Sequence, residues 1–317
     1  MAIWQDYAAV VGGMNMDIGG RSFRPLVMRD SNPGRVTMGL GGVGRNIAHN
    51  LRLLGADVRF LTAFGDDIYA REIEASCAEL GIDISLARKV PGGRTPVYLF
   101  LDDSDGDMAL AMSDMEICGR ITPEYLEGCM DALNSARLVV LDTNIPEESV
   151  RYIAENCRVP LFADPVSTPK AGKLKGVLGR IHTLKANRLE AEELAGIRIA
   201  DRDGLRRAAD ALLDTGMERV LITLGKDGVY AAERGGNAAE QPCLPAAVRN
   251  ATGAGDAFMA ATAWAWMNGK ALAETCRVAA AAAAIAVEAE ETISPEMSAD
   301  AVKARLAADD KEGEMQE

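Results

Sequence analysis

Short apolar runs alternate with amphipathic stretches along most of the chain. Residues 7–13 place Ala-Ala-Val-Val between Tyr7 and a Gly pair, which predicts a short buried strand of the kind that opens a parallel sheet. Beyond it, helical spacing of apolar positions predicts helices over 46–54, 68–80, 147–156, 188–195 and 202–213. Compact apolar runs predict strands over 58–64, 138–141, 161–163, 183–185 and 219–223. This alternation argues for an α/β fold, a mostly parallel sheet covered by helices on both faces. Residues 260–289, Ala-rich and nearly uninterrupted, predict one or two buried helices.

Two segments break the rhythm. Residues 15–38 are punctuated by Gly19-Gly20, Pro25 and Asn32-Pro33-Gly34, which predicts a small antiparallel piece with turns. Over 95–112, Pro-Val-Tyr-Leu-Phe-Leu and Met-Ala-Leu-Ala-Met flank the turn-rich stretch 102–107, a hairpin signature. The expected organisation is a main α/β domain over 1–13, 38–94 and 113–306 and a β lid over 14–37 and 95–112. Residues 307–317, acidic and without an apolar stripe, are expected to form a frayed, disordered tail.

Composition narrows the class. With 48% hydrophobic and 26% charged residues, the chain is not disordered throughout. Its 34 Lys and Arg against 47 Asp and Glu give a net charge of −13, so a polyanion meets repulsion rather than counterion release. Nucleic acid and anionic membranes are therefore disfavoured as partners. The six cysteines are scattered, with no Cys-x-x-Cys pair and no clustered His, which argues against structural zinc. The start lacks a signal-peptide pattern, and the longest apolar run, 278–287, is far short of the roughly 20 residues of a membrane helix. A cytoplasmic location is the expectation.

Four turns carry the candidate chemistry. Asn250-Ala251-Thr252-Gly253-Ala254-Gly255-Asp256-Ala257-Phe258 runs from a Gly-rich turn into the Ala-rich stretch. The free N–H groups of a helix start carry the positive end of its dipole and suit phosphate. Asp256 falls in that first turn, where a carboxylate can accept a proton from an attacking alcohol or simply complement the dipole. Gly39-Leu40-Gly41-Gly42-Val43-Gly44-Arg45-Asn46 is neither a dinucleotide fingerprint nor a Walker A loop. It offers backbone access and the Asn46 amide to polyol hydroxyls, or only a tight strand-to-helix turn. Asn187 and Glu190, three apart at a helix start, suit either Mg²⁺ held through water or a capping box. Thr223-Leu224-Gly225-Lys226-Asp227-Gly228 suits a nucleotide-lining turn or a bare β-turn.

In this order, and with the early Gly13-Met14-Asn15-Met16-Asp17, these segments resemble the carbohydrate kinases of the ribokinase (PfkB) type over nearly the whole chain. The resemblance implies a ribokinase-like three-layer sandwich with a small β-sheet lid, and ATP-dependent phosphorylation of a sugar or nucleoside hydroxyl. It makes Asp256 the base and the N–H groups of Gly253, Ala254 and Gly255 the anion hole, with Thr252 beside them on the nucleotide. Asn15, Asp17, Gly41, Gly42 and Asn46 would grip ribose hydroxyls. Asn187 and Glu190 would organise Mg²⁺ and the phosphates, and Thr223, Gly225 and Gly228 would line the nucleotide.

Within the family, residues 41–51, 106–115 and 164–170 look more like the members that phosphorylate pseudouridine than like those acting on ribose or adenosine. The leading expectation is thus transfer to the 5′-hydroxyl of pseudouridine. Thr95 and Lys170 are the candidates for reading a base with N–H donors and carbonyl acceptors. Another sugar or nucleoside, or a non-catalytic ligand-binding relative, is the alternative; Arg21, Arg24, Arg29 and Arg35 in the lid keep a phosphorylated sugar in view. Asn250 stands where many relatives carry Asp near a monovalent-cation site, so the resemblance leaves potassium activation open. Ala280 stands where ribokinases tend to place Asn beside adenine. Unpaired edges of a small sheet make a homodimer through the lid the expected assembly.

Overall fold

The computed structural model describes residues 6–314. In chain order the first half comprises β1 (Tyr7–Val11), β2 (Asn15–Ser22), β3 (Gly34–Gly41), α1 (Val43–Leu53), β4 (Asp57–Leu61), β5 (Ala63–Phe64), α2 (Ile68–Leu80), β6 (Arg88–Lys89), β7 (Val97–Asp102) and β8 (Met108–Asp114). Next come α3 (Pro123–Glu127), α4 (Met130–Ser135), β9 (Leu138–Asp142), α5 (Glu147–Asn156), β10 (Leu161–Asp164), α6 (Thr168–Ala171), β11 (Thr183–Asn187), α7 (Arg188–Ala195) and α8 (Arg202–Leu213). The chain closes with β12 (Arg219–Thr223), β13 (Val229–Glu233), β14 (Asn237–Gln241), α9 (Ala254–Met267), α10 (Leu272–Val287) and α11 (Ala299–Glu314).

The short apolar strands bury both faces, and their period of two decides the layers. Along β1, Ala9 and Val11 enter one core while Ala8 and Val10 enter the other; Val139 and Leu141 divide from Leu138 and Val140 in the same way along β9. Helices α5, α7 and α8 close the first face, and α1, α9 and α10 close the second. The main sheet has the order β14-β13-β12-β11-β10-β9-β1-β4, parallel from β4 to β12 and antiparallel over its last two pairs. The chain leaves β1 for β4 on one side and returns to β9 on the other. That reversal is a topological switch point, where the carboxyl ends of the strands open a crevice for ligands.

The small sheet, β3-β2-β7-β8, stands beside that crevice. Its strands reach further than expected, to Gly41 in β3 and Asp114 in β8. Gly19 and Gly20 lie inside β2 instead of in a turn, because the rings and branches opposite occupy their side-chain space. A Cβ on Gly19 would sit 2.5 Å from the Phe100 ring, and one on Gly20 would sit 2.7 Å from Leu101. Register gives the sheet two unlike faces. Met38, Ile18, Leu99 and Met112 share one row, and Val36, Leu101 and Leu110 share the next, so one face is apolar; Asp17 shares the other with Tyr98 and Phe100.

Three further departures have physical causes. The strand expected over 58–64 is split at Thr62, whose carbonyl accepts the Arg88 N–H as the chain turns to the β5–β6 pair. Strands β13 and β14, which the apolar pattern did not suggest, form a hairpin edge in which only β13 is buried. The expected disordered tail over 307–317 is corrected as far as Glu314, since α11 is helical to that residue. Val302 is buried, Arg305 pairs with Glu288, and Arg277 of α10 pairs with Asp309 and Asp310, so the acidic stretch has cationic partners.

Phe60 of β4 is fully buried between the sheet and α1. Phe60→Ala is expected to cost about 3–5 kcal/mol of folding stability, through lost transfer energy and a residual cavity. Urea unfolding monitored by circular dichroism measures it, and a loss below about 1 kcal/mol would contradict this packing.

Candidate active site

The site forms where two helix starts face each other over the crevice. α1 begins at Gly42, which has φ of 98° and lies so close to the β1–β2 connection that a Cβ would stand 2.6 Å from both the Gly13 carbonyl oxygen and Met14 Cα. Only glycine fits this approach without strain. α9 begins at Gly253, with φ of 83° and its Cβ direction blocked by the Thr292 carbonyl. No side chain caps α9, and the Ala254 N–H reaches the Ala251 carbonyl at only 3.4 Å. The opening N–H groups at Ala254, Gly255 and Asp256 therefore remain turned to the crevice, with the positive end of the dipole.

Asn46 joins the two starts. Its Nδ2 donates to Asp256 Oδ2 at 2.9 Å across 210 positions of sequence, while its Oδ1 is buried with no protein partner. A buried acceptor without a donor is costly, so this oxygen suits a ligand hydroxyl. Burial and the Asp164 carboxylate push the Asp256 carboxyl up to about 7, against the opposing pull of Lys185 and Asn46. Asn15 donates to Asp17, and Asp17 abuts Gly41 so closely that a Cβ there would strike its carboxylate. Burial raises the pKa of Asp17 as well.

A row of charge at the carboxyl ends of the strands escaped the sequence reading. Asp142 and Asp164 are register neighbours on β9 and β10. Buried Asp142 accepts N–H bonds from Gly13 at 2.8 Å and Asn144 at 2.7 Å, and burial raises its pKa. Asp164 pairs with Lys185 at 2.8 Å, both buried. Burial works against the Lys185 charge, but Asp164, Asp256 and Glu190 together raise its pKa. Lys185 Nζ lies 3.0 Å from where a Cβ on Gly255 would be, directly under the first turn of α9. A signal was available. Each of these charges ends or interrupts an otherwise apolar strand at its ligand-facing end.

The remaining candidates are placed unevenly. Asn187 and Glu190 form a complete capping box, Asn187 Oδ1 taking the Glu190 N–H at 3.0 Å and Glu190 Oε2 the Asn187 N–H at 2.8 Å. Glu190 is nevertheless buried beside the charge row, with its pKa raised by burial and by Asp164. Thr223 is the register neighbour of Asn187, and Gly225 and Gly228 take positive φ in the turn after it. Thr252 is exposed and its N–H is held by Asn250 Oδ1, while the Asn250 amide nitrogen donates to the Glu290 carbonyl. Ala280 is buried in α10. Lys170 donates to Asn144 Oδ1 at 2.6 Å, and Asn144 packs against Gly13. Thr95 is buried, and its hydroxyl donates to Asp67 at 2.7 Å and accepts from the Gly65 N–H, which leaves one acceptor lone pair for a base. Sequence reasoning also missed Tyr98 and Phe100, which strand alternation places on the Asp17 face, their rings 5.8 Å apart.

A small sheet beside a switch-point crevice, an open helix start and a buried carboxyl next to it are what a phosphotransferase with an alcohol group as acceptor requires. A profile described as pfkB family carbohydrate kinase matches residues 5–299, and the chain belongs to that family. It is 39% identical to the pseudouridine kinase of Escherichia coli (strain K12) over 295 residues, covering 93% of this chain and 94% of that protein. The structure of a carbohydrate kinase from Agrobacterium tumefaciens superposes with a TM-score of 0.81 at 30% identity, over 96% of this chain and 97% of that one. A ribokinase from Thermotoga maritima shares the fold, with a TM-score of 0.84 at 24% identity over 96% of this chain and all of that one, 100%. The chain is thus a nucleoside or sugar kinase of ribokinase-like fold. Among the described residues no helix is long and apolar enough to cross a membrane.

The raised Asp256 pKa has a consequence for stability. Between the ordinary aspartate value of 3.8 and about 7, the folded protein holds a proton on this group that the unfolded chain has lost. Its contribution to stability therefore falls as pH rises through that window. Asp256→Asn, which stays neutral, is expected to be no less stable than the native protein at pH 5 and more stable at pH 8, measured by urea midpoints at the two values. A variant that loses stability on going from pH 5 to pH 8 as steeply as the native protein would refute the assignment.

Proposed function

We propose that the protein transfers the γ-phosphoryl group of ATP to the 5′-hydroxyl of a nucleoside, and that pseudouridine is its acceptor. The observation that carries the reaction is the Asn46 to Asp256 hydrogen bond at the uncapped start of α9. It aims one carboxylate at the space where an alcohol would meet the N–H groups of Gly253, Ala254 and Gly255. Asp256 takes the hydroxyl proton as the oxygen attacks, and the helix start takes the negative charge of the transferring group. Its proton affinity near neutrality suits a base that must accept a proton at physiological pH.

Asn46 Oδ1, Asp17 and Asn15 receive the ribose hydroxyls, with Gly41 and Gly42 keeping the backbone close enough. Closure of the lid excludes water that would otherwise take the phosphoryl group. Thr223, Gly225, Gly228 and Thr252 flank the nucleotide. No three His, Cys, Asp or Glu side chains come together as a metal cage among the described residues. The free oxygen of Glu190, with Asn187 beside it, fits Mg²⁺ through its water shell, where the ion would neutralise phosphate charge. The choice of pseudouridine is supported by the Escherichia coli relative and by the Lys170–Asn144 pair beside Gly13, which presents donors suited to uracil carbonyls.

ADP release from ATP and Mg²⁺ should be measured against pseudouridine, uridine, adenosine, ribose and fructose 6-phosphate, with and without potassium. Pseudouridine is expected to give the highest kcat/KM, and a higher value for any other acceptor would overturn the substrate assignment. With the best acceptor, kcat/KM should fall as pH drops below about 7, and Asp256→Asn should lower kcat by about 10²–10⁴. Near-native turnover of that variant would remove Asp256 as the base.

The same proposal includes a homodimer through the lid. The apolar rows on its outer face leave Val36, Met38, Leu99, Leu101, Leu110 and Met112 exposed, a contiguous patch that a monomer would leave in water. Sedimentation velocity should show a dimer for the native chain and a monomer for Leu99→Lys/Met112→Lys. A native monomer at micromolar concentration would dismiss it.

A further inference from the structure

Arg45 is placed where elementary electrostatics disfavours a cation. It is only 6% exposed, it occupies the first turn of α1 where the helix dipole is positive, and no acidic residue shares that turn. No carboxylate lies within ion-pair distance of it among the described residues. Its guanidinium instead donates to the Leu40 carbonyl at 3.0 Å and the Ser76 hydroxyl at 3.3 Å, while its backbone N–H donates to the Gly13 carbonyl at 3.1 Å. A buried charge without a paired opposite charge costs several kcal/mol relative to an apolar side chain of similar size. Packing does not explain that expense: the backbone bond to Gly13 needs no particular side chain, and the space between Leu40 of β3 and Ser76 of α2 could be filled by an apolar one.

These three contacts have one thing in common. Leu40 is at the foot of lid strand β3, Ser76 is in α2, and Gly13 lies in the short connection from β1 to β2, just before the lid begins. Leu40 is followed by Gly41, whose Cβ direction points into the Asp17 carboxylate. Arg45 therefore holds the lid root from the main-domain side, at the step where the chain delivers Asp17 to the crevice. Its field reaches Asp17 and lowers the proton affinity that burial raises there. The other groups facing Asp17 are Asn15 on its own strand, Tyr98 opposite it on β7 and Gly39 opposite it on β3, and none of these is charged at neutral pH. His49, one turn along α1, is held neutral by burial and by Arg45, its pKa lowered to about 4, so it supplies no second cation.

We propose that Arg45 is a positioning residue for acceptor binding: it pins the foot of β3 to α1 and α2, one residue before Gly41, which packs against the Asp17 carboxylate. The inference rests on the kinase reading above, in which Asp17 grips acceptor hydroxyls. It adds a specific division of labour, since Arg45 acts on the acceptor side and not on the nucleotide side or the phosphoryl-transfer step.

The test compares Arg45→Met and Arg45→Lys with the native protein, in the presence and absence of Asp17→Asn. Arg45→Met is expected to raise the acceptor KM at least tenfold, with kcat and the ATP KM within about threefold and the melting temperature retained, because an apolar isostere relieves a buried charge. Arg45→Lys should recover part of the acceptor KM. In the Asp17→Asn background the Arg45→Met effect on acceptor KM should largely vanish, as coupled residues require. Amide exchange over residues 39–42 should accelerate in Arg45→Met while the main sheet stays protected. Equal losses in kcat and both KM values, an undiminished effect in the Asp17→Asn background, or unchanged exchange at the strand foot would each overturn the proposal. If the native protein releases no ADP with any acceptor, the kinase reading itself has failed, an outcome separate from any of these.

Discussion

The crevice depends on one hydrogen bond between side chains 210 positions apart, from Asn46 at the start of α1 to Asp256 at the start of α9. Both helices point their positive ends at the same space, an arrangement that is unfavourable unless negative charge fills it. Part of that charge is built in. Asp142 sits under Gly44 of α1, 3.0 Å from where a Cβ would be, and Asp256 lies within the first turn of α9. The rest is left for a ligand. The two glycine turns follow from the same requirement, since Gly42 and Gly253 bring each helix start against the β1–β2 connection and the 292 loop at separations that exclude a side chain.

Opposing charges beneath the crevice limit each other. Asp164, Glu190 and Asp256 converge on Lys185, and a single ammonium cannot balance three ionised carboxyls in a space with little water. The carboxyls respond by holding protons more tightly: the pKa values of Asp142, Glu190 and Asp256 are all raised, with burial as the first cause in each case. Such a cluster does not stabilise the fold. It is the kind of local cost that sites carrying chemistry impose on a scaffold whose stability comes from elsewhere. Here that source is the two apolar layers formed by the alternating strands and the Ala-rich α9 and α10.

Periodicity alone revealed the layered architecture, because each buried strand and its covering helix carry the pattern locally. It did not reveal β13 and β14: the apolar run of β13 is only four residues long, and exposed β14 gives neither an apolar run nor a clean alternation. Nor did it show α11, where the apolar positions are few and the acidic residues find Arg277 and Arg305 only in three dimensions. The glycine turns and Asp256 were legible as motifs. The charge row was not, since Asp142, Asp164 and Lys185 are separated by 22 and 21 positions and become neighbours only through parallel register. Thr95 shows what a sequence leaves out: a polar residue at a lid edge suggests recognition, while the partners that hold its hydroxyl, Asp67 and Gly65, lie far off in the chain or across the fold.

Asn187 and Glu190 show why a structural and a chemical reading of one motif need not compete. The capping box consumes Asn187 Oδ1 and Glu190 Oε2, so as a helix cap it is complete. A cap does not need burial, yet Glu190 is 2% exposed and lies in the field of Asp164 and Lys185. The cap fixes the rotamer of Glu190 at little entropic cost, leaving one oxygen directed by the helix start and not by solvent. In the proposed reaction that oxygen is what a hydrated cation would find. The sequence spacing of three thus serves two demands at once, because the geometry that closes a capping box also holds the glutamate still at the end of a parallel strand.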